Sequence, residues 1–109
     1  MKLIFEKQKL EDAIQILQSV SAGRTTLPIL GNVLVKADEN IQMAGTDLEV
    51  SINMNVEGSI EESGSITIPA KKLSEIVREL PNEDIEITTT SNDRIEISCG
   101  EGEYRMIGL

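Results

Sequence analysis

Few side chains in this sequence could carry out catalysis. Its 109 residues contain no histidine and one cysteine, Cys99. The usual general base and the commonest metal ligand are therefore missing, and one cysteine forms neither an internal disulfide nor a paired zinc site. No glycine-rich phosphate-binding loop appears in the sequence either. We expect a protein without catalytic residues, metal or cofactor.

The segment GTDLE (45–49) contains the most suggestive pair of carboxylates. Alternation along a strand would place Asp47 and Glu49 on one face, where a metal or acid–base site could form. No third ligand or base accompanies them, so a turn glycine followed by a capping aspartate explains the segment better. Cys99 is in register with two isoleucines and is predicted to be a small buried side chain, not a nucleophile.

One arginine occupies an unusual position. In GRTTLPILGN (23–32), Arg24 lies in a stiff loop of a chain whose formal net charge is −9. The residue before Pro28 is held extended, which helps to fix the position of this loop. A fixed cation in so acidic a chain indicates either a surface ion pair or a contact with an anionic partner.

Hydrophobic periodicity predicts two helices. The first has an apolar stripe and a polar opposite face, and Gly23 follows it as a stop signal. The stripe contains Leu10, Ala13, Ile14, Leu17 and Val20, and the polar face contains Gln8, Asp12, Gln15 and Ser19. The second helix is shorter and lies between Pro69 and Pro81, with Leu73, Ile76, Val77 and Leu80 on one face.

The remaining segments are predicted to be strands. In EVSINMNVEG (49–58), apolar and polar residues alternate, so one face should be buried. ILGNVLV (29–35) is more continuously apolar, as expected for a strand covered on both faces. The order is strand, helix and three strands, given twice, with the halves meeting near Gly58. We predict one α+β domain over residues 1–109: a duplicated β-α-β-β-β unit with two helices packed on one face of antiparallel sheet.

The charge is divided unevenly between these elements. Residues 1–36 carry a net +2 and the second helix, within 69–80, a net +1. Residues 37–68 carry −7 and residues 81–109 carry −5. If the helices share one side of the sheet, that side is weakly basic and the sheet side is acidic. Simple solvation of both sides would also explain a patch of only three or four cations.

Three sequence blocks together resemble a known family. GRTTLPILGNVLV, then GTDLE, then IPAKKL with LP at 80–81 resemble the first domain of the bacterial sliding clamps, the beta subunits of DNA polymerase III. The opening MKLIFEKQKL is also similar to the first strand and helix of that family. The resemblance covers Met1 to about Leu109.

The resemblance implies a ring that encircles DNA. Family members have three domains of one fold, and two chains close head to tail around duplex DNA, with helices lining the hole and sheets outside. The resemblance therefore implies a non-catalytic processivity factor of the replicative polymerase, with double-stranded DNA as a sequence-independent partner. A second subunit completes the homodimer, and polymerase and clamp loader bind through domains that lie outside this sequence.

The same resemblance assigns two groups of residues. Arg24, Lys71 and Arg78 are expected to contact DNA, and Lys72, Leu80, Tyr104 and Met106 are expected at the subunit interface. Solvated cations, and core positions for Tyr104 and Met106, are the alternatives. Glu101 and Glu103 stand where relatives often carry basic residues, so the ion pairs of this interface are expected to differ.

Other function classes remain open from the residues themselves. The main alternative is a stand-alone protein-interaction module that offers an acidic sheet face and an open edge strand. A hydrolase that uses carboxylates is a third. No apolar run has membrane-spanning length, and charges interrupt the first ten residues where a signal peptide would be apolar. Without a membrane segment and with a single cysteine, we expect a cytoplasmic protein.

Overall fold

The computed structural model describes residues 1–20, 31–46, 50–90 and 93–107. Within these ranges the helices are α1 (Lys7–Val20) and α2 (Ala70–Glu79). The strands are β1 (Lys2–Phe5), β2 (Asn32–Ala37), β3 (Ile41–Thr46), β4 (Ser51–Val56), β5 (Ser59–Glu62), β6 (Gly64–Pro69), β7 (Ile85–Thr89), β8 (Arg94–Cys99) and β9 (Gly102–Ile107). Neither helix is long and apolar enough to cross a membrane.

The strands form two antiparallel sheets that exchange strands between the halves of the chain. The five-stranded sheet has the order β5-β1-β7-β8-β9, and the four-stranded sheet has the order β4-β3-β2-β6. β1 pairs with β7 and β6 pairs with β2, so each β-α-β-β-β unit gives its first strand to the other unit's sheet. The predicted α+β fold with a duplicated unit is confirmed, and its two halves are interlocked.

The strand β5 was not predicted and is additional to the duplicated β-α-β-β-β unit. It contains a single apolar residue, Ile60, and is separated from β6 by Ser63, so alternation gives it little signal. It pairs with β1 at the far edge of the five-stranded sheet. The chain passes from the four-stranded to the five-stranded sheet at Gly58, close to the predicted boundary between the halves.

The two helices pack against each other and supply one side of the core. α1 buries its predicted apolar stripe at Leu10, Ala13, Ile14 and Leu17, whereas Gln8, Asp12 and Gln15 are exposed. α1 also packs against β3 and β4, and α2 packs against β6. Buried side chains from both sheets and both helices form one continuous hydrophobic cluster, so the interlocked halves share a single core.

Sequence and backbone geometry together set the ends of α2. The helix begins directly after Pro69, whose ring is compatible with a helix start. It stops because Leu80, which precedes Pro81, has the extended conformation with φ −76° and ψ 151°. The Lys7 Nζ donates a hydrogen bond to the Leu80 carbonyl, which ties the start of α1 to the end of α2.

Two strand predictions are corrected by the burial pattern. β2 is covered on one face and open on the other: Val33, Val35 and Ala37 are buried, while Leu34 is 42% exposed. The prediction that this strand is covered on both faces is wrong. β4 forms as predicted but lies at a sheet edge, so its apolar face is only partly covered. Val50, just before the strand, is 51% exposed.

An ion-pair cluster joins three strands at the outer face of the five-stranded sheet. The Lys2 Nζ on β1 lies 3.4 Å from a carboxylate oxygen of Glu61 on β5 and 3.4 Å from one of Glu86 on β7. The hydrogen bond to Glu61, followed by the charge of Glu86, raises the pKa of Lys2 above its ordinary value of 10.5.

A pH-dependent contribution to stability follows from this shift. Because the pKa of Lys2 is raised in the folded chain, the charged Lys2 side chain contributes fully to the free energy of unfolding below pH 10.5. This contribution is lost as the pH rises through the pKa of Lys2 in the folded chain. We expect the melting temperature of a Lys2→Met variant to fall less steeply above pH 10.5 than that of the wild type. Lys36→Met, at an exposed cation outside the cluster, should retain the wild-type slope, and identical slopes for all three proteins would contradict the prediction.

Candidate nucleic-acid interface and open sheet edge

Together, α1 and α2 form the helix layer. In the described part of the chain, the exposed cations of this layer that form no contact with groups of the same chain lie on α2. Lys71, Lys72 and Arg78 are all exposed. None of them forms an ion pair with a carboxylate in the ranges that the structure describes. An exposed cation without a carboxylate partner can approach a phosphate without first breaking an internal pair.

The cations of α1 contact groups of the same chain. The Lys7 Nζ bonds to the Leu80 carbonyl, and the Lys9 Nζ lies 3.4 Å from a carboxylate oxygen of Glu57. The Gln8 amide donates to Asp12 at 2.9 Å on the exposed face. α1 therefore presents mostly neutral or internally paired groups, and Lys9 is a weaker candidate for anion contact than the cations of α2.

Helical geometry separates the three α2 cations into two positions. Arg78 lines a shallow groove between the helices, opposite Glu11 and Gln15 of α1. Lys71 precedes Arg78 by seven residues, which places it within about 20° on the same face and about 10 Å along the axis. Lys72 lies about 120° around the helix from Arg78, on the flank turned away from α1. Lys71 and Arg78 thus form one pair on the open side of the helix layer, and Lys72 is separate from it.

The charge contrast between helices and sheets is weaker than the division by segments predicts. α1 carries two bases and two acids, and α2 carries three bases and two acids. Lys2 and Lys36, which contribute to the positive total of residues 1–36, lie on strands. The described helix layer is therefore positive only through α2. Arg24 lies outside the described residues.

The strand β9 forms an open edge of the five-stranded sheet. In the described part of the chain its backbone pairs with β8, on one side. Tyr104 and Met106 stand opposite Ile97 and Ile95 and so lie on the inner face, the face whose side chains enter the core. Tyr104 is nevertheless 38% exposed, while Met106 is partly buried against the core. A purely core position for Tyr104 is therefore wrong.

Leu80 supports this edge from inside. It is only 3% exposed and belongs to the core cluster. A Cβ placed on Gly102 would lie 3.7 Å from Leu80 Cδ2 and 3.9 Å from Tyr104 Cε2, so both side chains flank the start of β9. Leu80 is thus buried in this domain, and its place at the subunit interface stays a prediction.

The outer face of β9 carries charge and one exposed apolar residue. The Arg105 guanidinium lies 3.1 Å from a carboxylate oxygen of Glu103 and 3.7 Å from one of Glu96. Glu101 is exposed in the turn that precedes the strand. Ile107 is 71% exposed, and it is not among the interface residues that the sequence predicts. Its signal in the sequence is that YRMI places apolar residues on both faces of one strand.

The other predicted chemistry is only partly within the described residues. Cys99 is buried, with its Sγ 3.5 Å from the carbonyl oxygens of Pro81 and Glu83, so the prediction of a small buried side chain is confirmed. Asp47 and Glu49 lie outside the described ranges. Across the ranges that the structure covers, no cluster of three or more histidine, cysteine or carboxylate side chains could hold a metal ion.

Comparisons with known proteins are consistent over the whole chain. The family model for the DNA polymerase III beta subunit, N-terminal domain, matches residues 1–109. The beta sliding clamp of Vibrio harveyi is 37% identical and that of Vibrio cholerae 38% identical, each over all of this chain. This chain covers 77% of the first relative and 30% of the second.

Solved structures agree with the sequence relatives. The DNA polymerase sliding clamp from Caulobacter crescentus matches with a TM-score of 0.93 at 36% identity. The DNA polymerase III subunit beta from Pseudomonas aeruginosa matches with a TM-score of 0.92 at 31% identity. Each match covers all of this chain and 30% of the solved chain. The chain therefore belongs to the family of the DNA polymerase III beta subunit, N-terminal domain.

Proposed function

We propose that this chain is one segment of a replicative sliding clamp, a ring that encircles duplex DNA and slides on it as a processivity factor of the polymerase. Residues 1–109 form one domain of the ring, and further domains of the same fold complete the subunit. Family membership and the two-helix layer on one side of the sheets support this proposal. The protein acts as an accessory subunit in the cytoplasm and catalyses no bond change.

The observation that carries the proposal is the sparse positive charge of the helix layer. Lys71 and Arg78 lie on one face of α2, exposed and free of carboxylate partners in the described chain. Each neutralised phosphate adds salt-dependent affinity, so many such contacts would hold the protein in place. Two cations, together with Arg24 as a contact predicted from the family resemblance, suit contacts that position the duplex without reading its sequence.

A closed ring explains how an acidic protein can remain on DNA. With a formal net charge of −9, this domain has little overall attraction for a polyanion. Topological enclosure replaces affinity, because a ring around the duplex leaves only by opening or by sliding off an end. Net charge is therefore a poor guide to the partner in this case.

The open β9 edge supplies the proposed contact between subunits. An unpaired edge strand is a template for another strand, and a head-to-tail ring uses such edges to close. We assign Tyr104 and Met106, on the inner face of β9, to this contact, and Leu80 packs behind them. Lys72 is assigned to the same contact by the family resemblance alone. Polymerase and clamp loader bind through the further domains.

Retention on circular DNA tests the proposal directly. The full-length subunit, loaded by a clamp loader onto a nicked plasmid, should remain bound during a wash at about 1 M salt, where phosphate contacts are screened. Cutting the plasmid once should release the protein, because a ring slides off a free end. Equal retention on circular and linear DNA would contradict the proposal.

The two α2 cations should contribute to the weak DNA affinity of the full-length protein. We expect Lys71→Ala with Arg78→Ala to weaken duplex binding at low salt and to reduce the slope of log K against log salt by about 0.9 for each phosphate that is no longer neutralised. Lys36→Ala with Arg94→Ala removes two exposed cations from the sheets and serves as the matched control. An equal weakening in both double variants, measured by fluorescence anisotropy, would show that the helix layer has no special role.

A further inference from the structure

The most outward-facing side of α2 carries two carboxylates. The buried side of this helix is formed by Ala70, Leu73, Ser74 and Val77. Each residue turns the helix by about 100°, which places Glu75 and Glu79 within about 30° of the direction opposite to that buried side. Both are exposed. On the helix that carries the candidate DNA-binding cations, the groups that project farthest from the core are therefore negative.

The cations of α2 that are proposed to meet DNA lie beside these carboxylates. Lys71 and Arg78 lie about 70–90° from the outward direction, and Arg78 lines the groove next to α1. Glu75 follows Lys71 by four residues and precedes Arg78 by three, and both spacings bring Cβ atoms within about 5–6 Å on a helix. No ion pair joins a described carboxylate to either cation. Each cation thus has Glu75 as a neighbour that does not neutralise it by direct contact.

The outward side of α1 is no more attractive to an anion. It carries Gln8, Asp12 and Gln15, all exposed, and Asp12 accepts a hydrogen bond from the Gln8 amide at 2.9 Å. Glu11 lines the same groove as Arg78, from the side of α1. A phosphate that approaches Lys71 or Arg78 therefore comes close to carboxylates of both helices.

These distances determine how a phosphate would respond. Interactions between exposed charges are largely screened beyond about 8 Å at physiological salt, so a carboxylate one helical turn from a cation still acts on the same phosphate. Its repulsion offsets part of the attraction, and the phosphate contact becomes weaker without being abolished. A ring that is retained by topology needs no strong contact, and it moves only by leaving each phosphate in turn.

We propose that Glu75 limits the strength of the phosphate contacts made by Lys71 and Arg78, and so keeps the ring mobile on duplex DNA. This inference rests on the proposed function, and it assigns a residue that regulates the same surface. Glu75 is the main contributor, because it lies within one helical turn of both cations. It acts by repelling phosphates and makes no contact with DNA of its own.

Removal of this one charge in the full-length subunit tests the inference. We expect Glu75→Gln to bind a short duplex about threefold more tightly than the wild type at low salt, measured by fluorescence anisotropy, and to lose this gain as salt is added. Rings of this variant, loaded onto stretched DNA and tracked singly, should diffuse more slowly than wild-type rings. Glu75→Asp keeps the charge and should match the wild type. Glu39→Gln removes the same charge in the exposed turn between β2 and β3, outside the helix layer, and should change neither quantity.

The possible failures of the inference and of the proposed function are distinguishable. If Lys71→Ala with Arg78→Ala weakens binding but Glu75→Gln behaves like Glu39→Gln, the inference alone is wrong. Equal gains in Glu75→Gln and Glu75→Asp would also overturn it, because the charge would then have no part in the effect. If the double cation variant binds DNA as the wild type does, the helix layer does not contact phosphates, and its proposed role fails together with the inference. Circular dichroism melts of each variant separate these effects from a change in stability.

Discussion

Tyr104→Lys is expected to disrupt the dimer of the full-length subunit. The ring of Tyr104 is 38% exposed on the inner face of β9, beside the buried Leu80, so an added subunit would cover it. Aromatic residues in the centre of an interface commonly cost about 2 kcal/mol or more when removed, which is roughly a thirtyfold change in dissociation constant. We expect a rise of at least this size by ultracentrifugation, with a matching loss of retention on circular DNA.

Leu34→Lys provides the matched control for this prediction. Leu34 is 42% exposed, close to the value for Tyr104, and lies on the outer face of the four-stranded sheet. The same apolar-to-charged change there should leave the dimer and the retention on DNA intact. A dimer that survives Tyr104→Lys, or that is weakened equally by Leu34→Lys, would place the subunit contact elsewhere.

Local patterns predict the elements of this fold well, because their causes are local. The apolar stripe of α1 and the two prolines around α2 act within a few residues of the structure that they specify. The exchange of β1 and β6 between the two sheets depends instead on pairings between distant segments, such as Leu3 with Ile87. Periodicity does not encode such pairings, so the sequence predicts the duplicated unit without showing that its halves interlock.

At the sheet surfaces, the sequence pattern predicts the burial of side chains less well than it predicts secondary structure. The run around Leu34 is apolar, yet hydrogen bonding places this side chain on the outer face while Val33 and Val35 enter the core. Alternation likewise predicts one buried face for β4, but an edge position leaves Ile52 and Met54 only partly covered. Neighbouring elements decide coverage, and these are known only once the sheets are assembled.

The candidate site is likewise only partly predictable from the sequence, because it too depends on how distant elements pack together. The types and order of Lys71, Arg78 and Tyr104 suggest their surfaces, but sequence alone does not show which cations are already paired. Lys9 illustrates the point, because its partner Glu57 lies far away in the chain. The position of Leu80 behind β9 and the exposure of Ile107 also depend on how α2 and β9 lie in the assembled domain.

Gly58→Ala is expected to destabilise the domain where its two halves meet. A Cβ at this position would lie 2.8 Å from the Ile4 carbonyl oxygen and 3.0 Å from both Ile41 Cδ1 and Phe5 Cδ1. The carbonyl belongs to β1, which is held between two strands, and Phe5 and Ile41 are buried, so none of the three can move freely. Overpacking of this kind costs about 1–3 kcal/mol, and we expect a decrease of that size in the free energy of unfolding from urea titration.

Gly31→Ala separates this steric effect from the general effect of replacing glycine. Apart from its chain neighbours, no group of the described residues lies within 4 Å of the Cβ position at Gly31, so we expect the substitution to introduce no steric conflict there. Its free energy of unfolding should remain within about 0.5 kcal/mol of the wild type or rise slightly, because alanine restricts the unfolded chain. Equal stabilities for the two variants would mean that β1 and the crossing at Gly58 adjust to the added methyl group. The interlocked halves would then be less tightly joined than their packing indicates.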